Sequence, residues 1–278
     1  MSGFLTLVPT PIGNLSDISP RCRQALEEAD FIAAEDTRVT LKLLNHLGIK
    51  KPLVSYYEHN KAFSGKKIVE RILAGENCAQ VSDAGSPAIS DPGEDLVRLC
   101  AESGITVTAI PGPCAAITAL SISGLPTGRF TFEGFLSTTK KNRAVHLQSL
   151  QTEQRTMIFY EAPHKLAATL KDLEQAFGGA RRIALCRELT KLHEEVLRLT
   201  LSEAVACYAE TAPRGEFVLI VEGAPEEREQ GASLDDALAR IAALTADGVS
   251  KKDAVKQVAQ ETGLPKNALY DAAVRGET

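Results

Sequence analysis

Short apolar runs recur along the chain, and amphipathic helical patterns fill the intervals between them. Residues 5–9 read as a first strand. Cys22, Ala25, Leu26 and Ala29 then stand at the spacing of one buried helix face, with Ser19 and Pro20 as its N-cap and first position. Residues 31–34 form a second apolar run, and Leu41, Leu44 and Leu47 mark the next helix, which Gly48 stops. Runs at 52–55, around Ala79 and Val81, and at 105–110 supply further strands, and a helix is predicted from about 114 to 123. Repeated strand, loop and helix units predict a mostly parallel sheet covered on both faces.

A second α/β unit begins near Thr127. Strands are predicted over 130–136, 156–160, 182–186, 195–201 and 217–221, with a helix over 165–177. An acidic stretch with Pro225, Glu226, Glu227 and Glu229 reads as a linker. Beyond it, Ser233 with Asp236 and Ser250 with Asp253 cap two short helices, and Gly263, Leu264 and Pro265 set off a third. That spacing suits a helix-turn-helix unit made basic by Lys251, Lys252, Lys256, Lys266 and Arg275; a small closing bundle or a dimer contact is the plainer alternative. The expected division is an α/β domain over 1–120, a second over 121–225 and a helical module over 226–278.

Composition narrows the class. The 278 residues suit more than one domain, and 44% apolar with 24% charged residues is a globular composition. No apolar run reaches the ~18 residues of a membrane span, and no basic region precedes an apolar run at the N-terminus, so a cytoplasmic protein with no membrane partner is expected. The 6 cysteines occur singly, without a spacing suited to zinc, so no metal site is expected and all are read as buried small apolar residues. A formal net charge of −5 argues against general coating of nucleic acid but leaves room for a local basic patch. Lys140, Lys141, Arg143 and His146 are the most compact such cluster outside the tail, either a solvated helix start or a phosphate contact.

Candidate chemistry sits where strands end. Residues 82–93, SDAGSPAISDPG, cannot continue a strand or a helix and form a shaped loop between the fourth strand and a helix, the place where open α/β sheets bind ligands. A well-capped turn, with Ser90 or Asp91 as N-cap and Pro92 at the first position, explains the second half of that loop. It does not explain Asp83, Ala84, Gly85, Ser86 and Pro87, where Asp83 supplies a carboxylate and Gly85 lets a ligand approach the backbone. Two further strand ends carry Glu35, Asp36, Thr37 and Arg38, and Tyr56, Tyr57, Glu58, His59 and Asn60. The first of these is either a cap with a surface ion pair or a substrate contact.

The loop at 82–93 also resembles the signature of the ribosomal RNA small subunit methyltransferase I family, within the tetrapyrrole methylase superfamily of S-adenosylmethionine enzymes. Other blocks stand in the same order: VPTPIGN at 8–14, AAEDTR at 33–38, SYYEHN at 55–60, IPGPCAAITAL at 110–120, FYEAPHKL at 159–166 and FVLIVEG at 217–223. The resemblance implies two α/β domains with the active-site cleft between them, followed by the helical module. It implies S-adenosylmethionine as cofactor, a cytidine 2′-hydroxyl in the decoding region of 16S ribosomal RNA within the small subunit as acceptor, and a homodimer. By the same likeness, donor contacts are expected at Pro11, Ile12, Ser86, Ile89, Cys114, Ala115 and Tyr160, with Asp83, Gly85 and Pro113 beside them. The catalytic group does not carry over in this way. Candidates on the rim are Asp36, Arg38, Glu58, His59, Glu161, His164, Glu188 and Lys191; Asp36 with Arg38 is favoured because it joins a base to a phosphate-gripping guanidinium, and Glu188 is kept beside them. Lys140, Lys141, Arg143, Lys251, Lys252 and Lys266 are the expected RNA contacts. The alternatives are methylation of a tetrapyrrole or a protein side chain, or a non-catalytic RNA-binding assembly factor.

Overall fold

A computed structural model of the chain describes residues 2–209, 213–225 and 233–275. It divides into two compact units, Met1–Ala224 and Pro225–Thr278.

Within the first unit, β1 (Phe4–Leu7), β2 (Phe31–Ala34), β3 (Leu53–Ser55), β4 (Cys78–Val81) and β5 (Thr106–Ala109) form a wholly parallel sheet in the order β3-β2-β4-β1-β5. The four residues of β2 are all buried because the two-residue period of a strand sends them to two cores. Phe31 and Ala33 pack with Leu5, Ile68 and Leu96, whereas Ile32 and Ala34 pack with Leu26, Leu44 and Val81. A fully buried side chain of this size stabilises by roughly 1.5–3 kcal/mol. The helices that supply these partners are α1 (Pro20–Glu28), α2 (Thr37–Leu47), α3 (Lys61–Leu73) and α4 (Gly93–Glu102). Ser19 Oγ caps α1 by accepting from the Cys22 N–H (3.1 Å), and Gly48, at φ 73, ends α2 in the left-handed conformation.

The next helix, α5 (Ala115–Ser123), crosses to the other sheet: its Ala116, Ala119 and Leu120 pack with Ile158, Ala184, Cys186, Val218 and Ile220. A break at residue 120 would therefore fall inside a helix whose buried face belongs to the second sheet. That sheet contains β6 (Phe130–Phe135), β7 (Thr156–Glu161), β8 (Arg182–Arg187), β9 (Glu195–Thr200) and β10 (Phe217–Val221) in the order β6-β7-β10-β8-β9. Only β6 and β7 run parallel; β10 lies antiparallel between β7 and β8, and β9 is antiparallel to β8. Its far face packs against α6 (Lys140–Ser149), α7 (Pro163–Phe177) and α8 (Leu201–Cys207) through residues such as Leu147, Leu170 and Leu201.

The second unit is α9 (Leu234–Ala246), α10 (Lys251–Thr262) and α11 (Lys266–Arg275), around Ile241, Val255, Val258 and Leu269. Ser233 and Ser250 cap α9 and α10 as expected, and Gly263 ends α10 in the left-handed region. The linker acids Glu226, Glu227 and Glu229 and the Arg275 side chain lie outside the described residues. The cysteines depart from expectation: Cys22, Cys78, Cys100 and Cys186 are buried, but Cys114 is half-buried and Cys207 exposed. Among the described residues, no helix is long and apolar enough to cross a membrane and no cluster of side chains could hold a metal ion.

Candidate active site

A cavity of about 520 Å³ opens where the carboxyl ends of β2 and β4 face the second sheet. Three of the sequence blocks are tied together at its floor. Thr10 and Gly85 exchange both backbone hydrogen bonds (3.0 Å each), and the Ser86 hydroxyl donates to the Pro113 carbonyl at 2.9 Å. Gly85 lines the cavity with its polar groups taken up by Thr10, at a φ of +84 that side chains rarely adopt. Farther along, Ala88 and Ser90 also stand at positive φ, 67 and 63. Such residues cost about 1–3 kcal/mol each and persist only where the surroundings hold them. Here Asp91 Oδ1 accepts from the N–H groups of Ala88 and Gly93, both at 2.8 Å, so Asp91 shapes the loop and α4 begins one residue later than predicted, after Pro92.

Every charged side chain lining this cavity is a carboxylate: Glu35, Asp83, Asp91, Glu161 and Glu216. Glu35 and Asp83 are cross-linked through the backbone. The Asp83 N–H points to Glu35 Oε2 (3.5 Å), while the Asp36 N–H donates to Asp83 Oδ1 (3.0 Å). Burial, then the negative charge of Asp83, pushes the Glu35 carboxyl above its usual range; burial does the same to Asp83, against the hydrogen bond from the Asp36 N–H. Glu161 is 5% exposed and fully engaged, accepting from the Thr169 hydroxyl and from the Ala162 N–H (2.8 Å). Thr169 in turn accepts from Arg143 at 2.9 Å. On the opposite wall, Tyr160 lies edge-on to Phe132 (5.1 Å) and tilted against Phe135 (5.5 Å), and its hydroxyl oxygen accepts from the Ala116 N–H at 3.2 Å. Burial pushes that phenol up to about 12.

Of the expected donor contacts, Ile12, Asp83, Gly85, Ser86, Ile89, Cys114, Ala115 and Tyr160 line the cavity; Pro11 and Pro113 do not, although the Pro113 carbonyl anchors Ser86. None of the three expected catalytic residues is in the lining. Asp36 caps α2 and is gripped by Arg38, whose guanidinium sits 2.6 Å from Asp36 Oδ2 and holds the carboxyl down at about 2. Glu188 lies on a loop where it and Thr190 take positive φ (51 and 64). Its carboxylate accepts from Lys191 Nζ (2.8 Å) and the Glu216 N–H (2.9 Å), and a Cβ on Gly215 would stand 2.5 Å from its Cγ. Lys191 holds Glu188 below its usual range and also pairs with Glu216 at 3.0 Å. Lining residues that sequence reasoning does not single out include Phe135, Cys186, Leu189 and Glu216, while Glu35 is named in its strand-end cluster without a role of its own. Sequence reasoning favours Asp36 over its neighbour Glu35, and only the place of Glu35 at the end of a fully buried strand signals it.

Of the expected RNA contacts, Arg143 is withdrawn. Its side chain is 11% exposed and pairs with Asp172 at 2.6 Å, so it braces Glu161 through Thr169 and is largely turned away from solvent. Lys140 and Lys141 are exposed at the start of α6; in the other unit Lys252 and Lys266 are exposed and Lys251 half-buried.

The family model of tetrapyrrole (corrin/porphyrin) methylases matches residues 5–205, and that of the RsmI C-terminal HTH domain matches residues 232–276. The chain is 48% identical to a ribosomal RNA small subunit methyltransferase I of Synechocystis, covering 99% of each chain. It is 49% identical to the protein of that name from Halalkalibacterium halodurans, over 97% of this chain and 94% of that one. Among solved structures, it resembles the uroporphyrin-III C-methyl transferase of Thermus thermophilus complexed with S-adenosyl homocysteine. There the TM-score is 0.55 and the identity 16%, over 79% of this chain and 97% of that one, a likeness of fold.

Proposed function

The chain belongs to the tetrapyrrole (corrin/porphyrin) methylase family, and from that membership we propose that it transfers the methyl group of S-adenosylmethionine to a cytidine 2′-oxygen in the decoding region of 16S ribosomal RNA. The observation that carries the donor assignment is the wholly acidic charge of the cavity lining. A sulfonium and an ammonium group are costly to bury without anionic partners, and Glu35 and Asp83 beside apolar Ile12, Ile89 and Leu189 meet that need, the other lining acids being engaged elsewhere. Asp83, Ser86, Cys114, Ala115 and Tyr160 complete the hold, with Pro11 and Pro113 behind them. The bound donor supplies an electrophilic methyl carbon. The choice of ribosomal RNA rests on likeness to the named relatives along nearly the whole chain, tail included.

Glu35 is assigned as the group that takes the hydroxyl proton. It lines the cavity, and its raised affinity for a proton makes it a better base than Asp36, whose carboxyl is spent on Arg38. Asp83 keeps Glu35 in place and adds the like charge that maintains its basicity. Lys140, Lys141, Lys251, Lys252 and Lys266 are retained as RNA contacts, and a cytoplasmic homodimer is the working form. Calorimetry with S-adenosylmethionine, followed by labelled-methyl transfer to small subunits lacking the modification, tests both halves; donor binding with label on a tetrapyrrole or a protein side chain would refute the RNA half alone.

A further inference from the structure

An acidic cavity repels phosphate, so a nucleic-acid substrate must be gripped on the surface around it. The adjacent stretch of rim offers such a grip. Strand β3 pairs with β2 in register, Ser55 opposite Ala34, and the Tyr56 N–H donates to the Ala34 carbonyl at 2.8 Å. The loop after β3 therefore starts one strand away from Glu35. Asn60 folds it into a fixed turn. Its side chain accepts from the Tyr57 N–H (2.8 Å) and donates to the Ser55 carbonyl (3.0 Å), while its own carbonyl accepts from the Phe63 and Ser64 N–H groups.

That turn and the first turns of α3, which it leads into, present aromatic and cationic groups to solvent. Tyr57 is 42% and Phe63 68% exposed, and Tyr57 meets His59 edge-on at 6.2 Å. Lys67 Nζ lies 4.2 Å from the Phe63 ring centroid, one helical turn on, and Lys66 is exposed beside it. The acid within the stretch, Glu58, is already paired with Lys61 at 2.8 Å. Among the described residues, neither Lys66 nor Lys67 takes part in an ion pair. Exposed rings interleaved with unpaired cations are what a single strand recognises: every base has a π-face to stack, and each phosphate draws one cation.

We propose that Tyr57, His59, Phe63, Lys66 and Lys67 form a docking surface for the single-stranded RNA that flanks the target nucleotide. It rests on the reading of the acceptor as ribosomal RNA. Phe63 and Tyr57 stack on bases, Lys66 and Lys67 contact phosphates, and the neighbouring nucleotide reaches over β2 to the acidic cavity. The surface commits the enzyme to an unpaired acceptor, since bases within a duplex have no free face for these rings.

The test is fluorescence anisotropy of a labelled single-stranded RNA oligonucleotide with the full chain over a salt series. Phe63→Ala should weaken binding roughly five- to a hundredfold, the range for removing one stacked ring, and Phe63→Trp should retain it. The double variant Lys66→Ala/Lys67→Ala should make the slope of log affinity against log salt shallower by about 1.4, two single-strand phosphate contacts. Donor affinity by calorimetry should be unchanged in all three, which establishes that they are folded. Wild-type affinity and slope in the variants would overturn the proposal. So would loss of self-association in Phe63→Ala by sedimentation, because the patch would then join copies of the chain. A wild-type protein that methylates small subunits but ignores the oligonucleotide removes this surface alone; one that does neither removes the ribosomal RNA reading with it.

Discussion

Two neighbouring parts of one sheet rim carry opposite charge. The cavity at the ends of β2 and β4 is lined by Glu35, Asp83 and Asp91, and the turn after β3 leads into a helix, α3, that displays Lys66 and Lys67 beside an exposed ring. The strands that lead into the two, β2 and β3, are neighbours in the sheet. Burial decides what each charge can do. Glu35 and Asp36 are adjacent in sequence, yet desolvation raises the proton affinity of one while an exposed guanidinium suppresses that of the other. A chain that must hold a cationic donor and an anionic polymer separates them in this way, with acids at partly buried strand ends and cations on an exposed helical turn.

Breaking the acidic side should have the largest effect. Glu35→Gln should lower methyl transfer at saturating donor by roughly 10²–10⁴-fold, the usual contribution of a positioned base. Its stability should move the other way. A carboxyl whose proton affinity is raised by folding weakens the fold above that pKa and ceases to do so below it. Glu35→Gln should therefore raise Tm at neutral pH, and the gain should shrink as pH falls. Gly85→Val comes next: a β-branched residue at φ +84 strains the loop by about 1–3 kcal/mol. It should cut donor affinity at least tenfold while the fold persists, as judged by circular dichroism. Asp83→Asn sharpens the same side, since removing the like charge that raises Glu35 should shift the acid limb of the rate profile to lower pH.

Much of this was legible in sequence because local signals were unambiguous. The run at 31–34, the Ser19 cap and the Gly48 stop each fixed an element within a residue or so. The antiparallel insertion of β10 between β7 and β8 was not, because apolar periodicity marks a strand without naming its partner. The helix α3 went unread together with the turn that Asn60 holds. Within the site, the loop at 82–93 stood out by its glycines and prolines. Leu189 and Phe135 did not, and Glu35 was not told apart from Asp36: whether a strand-end side chain meets a cavity or a core depends on a sheet that sequence spacing does not place.

Smaller effects sharpen the basic side. Removing residues 226–278 should leave donor binding intact and make the RNA salt slope shallower, in proportion to the number of tail lysines that touch phosphate. Asp36→Ala should change methyl transfer by no more than about twofold, since an exposed ion pair contributes little and the residue lies outside the cavity lining.

The central claim, that an acidic cavity holds the donor and Glu35 deprotonates a ribose hydroxyl, is tested most directly by transfer of labelled methyl from S-adenosylmethionine to small subunits lacking the modification, with the wild-type chain and Glu35→Gln compared at equal donor occupancy. The account expects label on a cytidine 2′-oxygen with the wild type and transfer reduced at least a hundredfold in the variant. Label on another acceptor, or full transfer by Glu35→Gln, would contradict it.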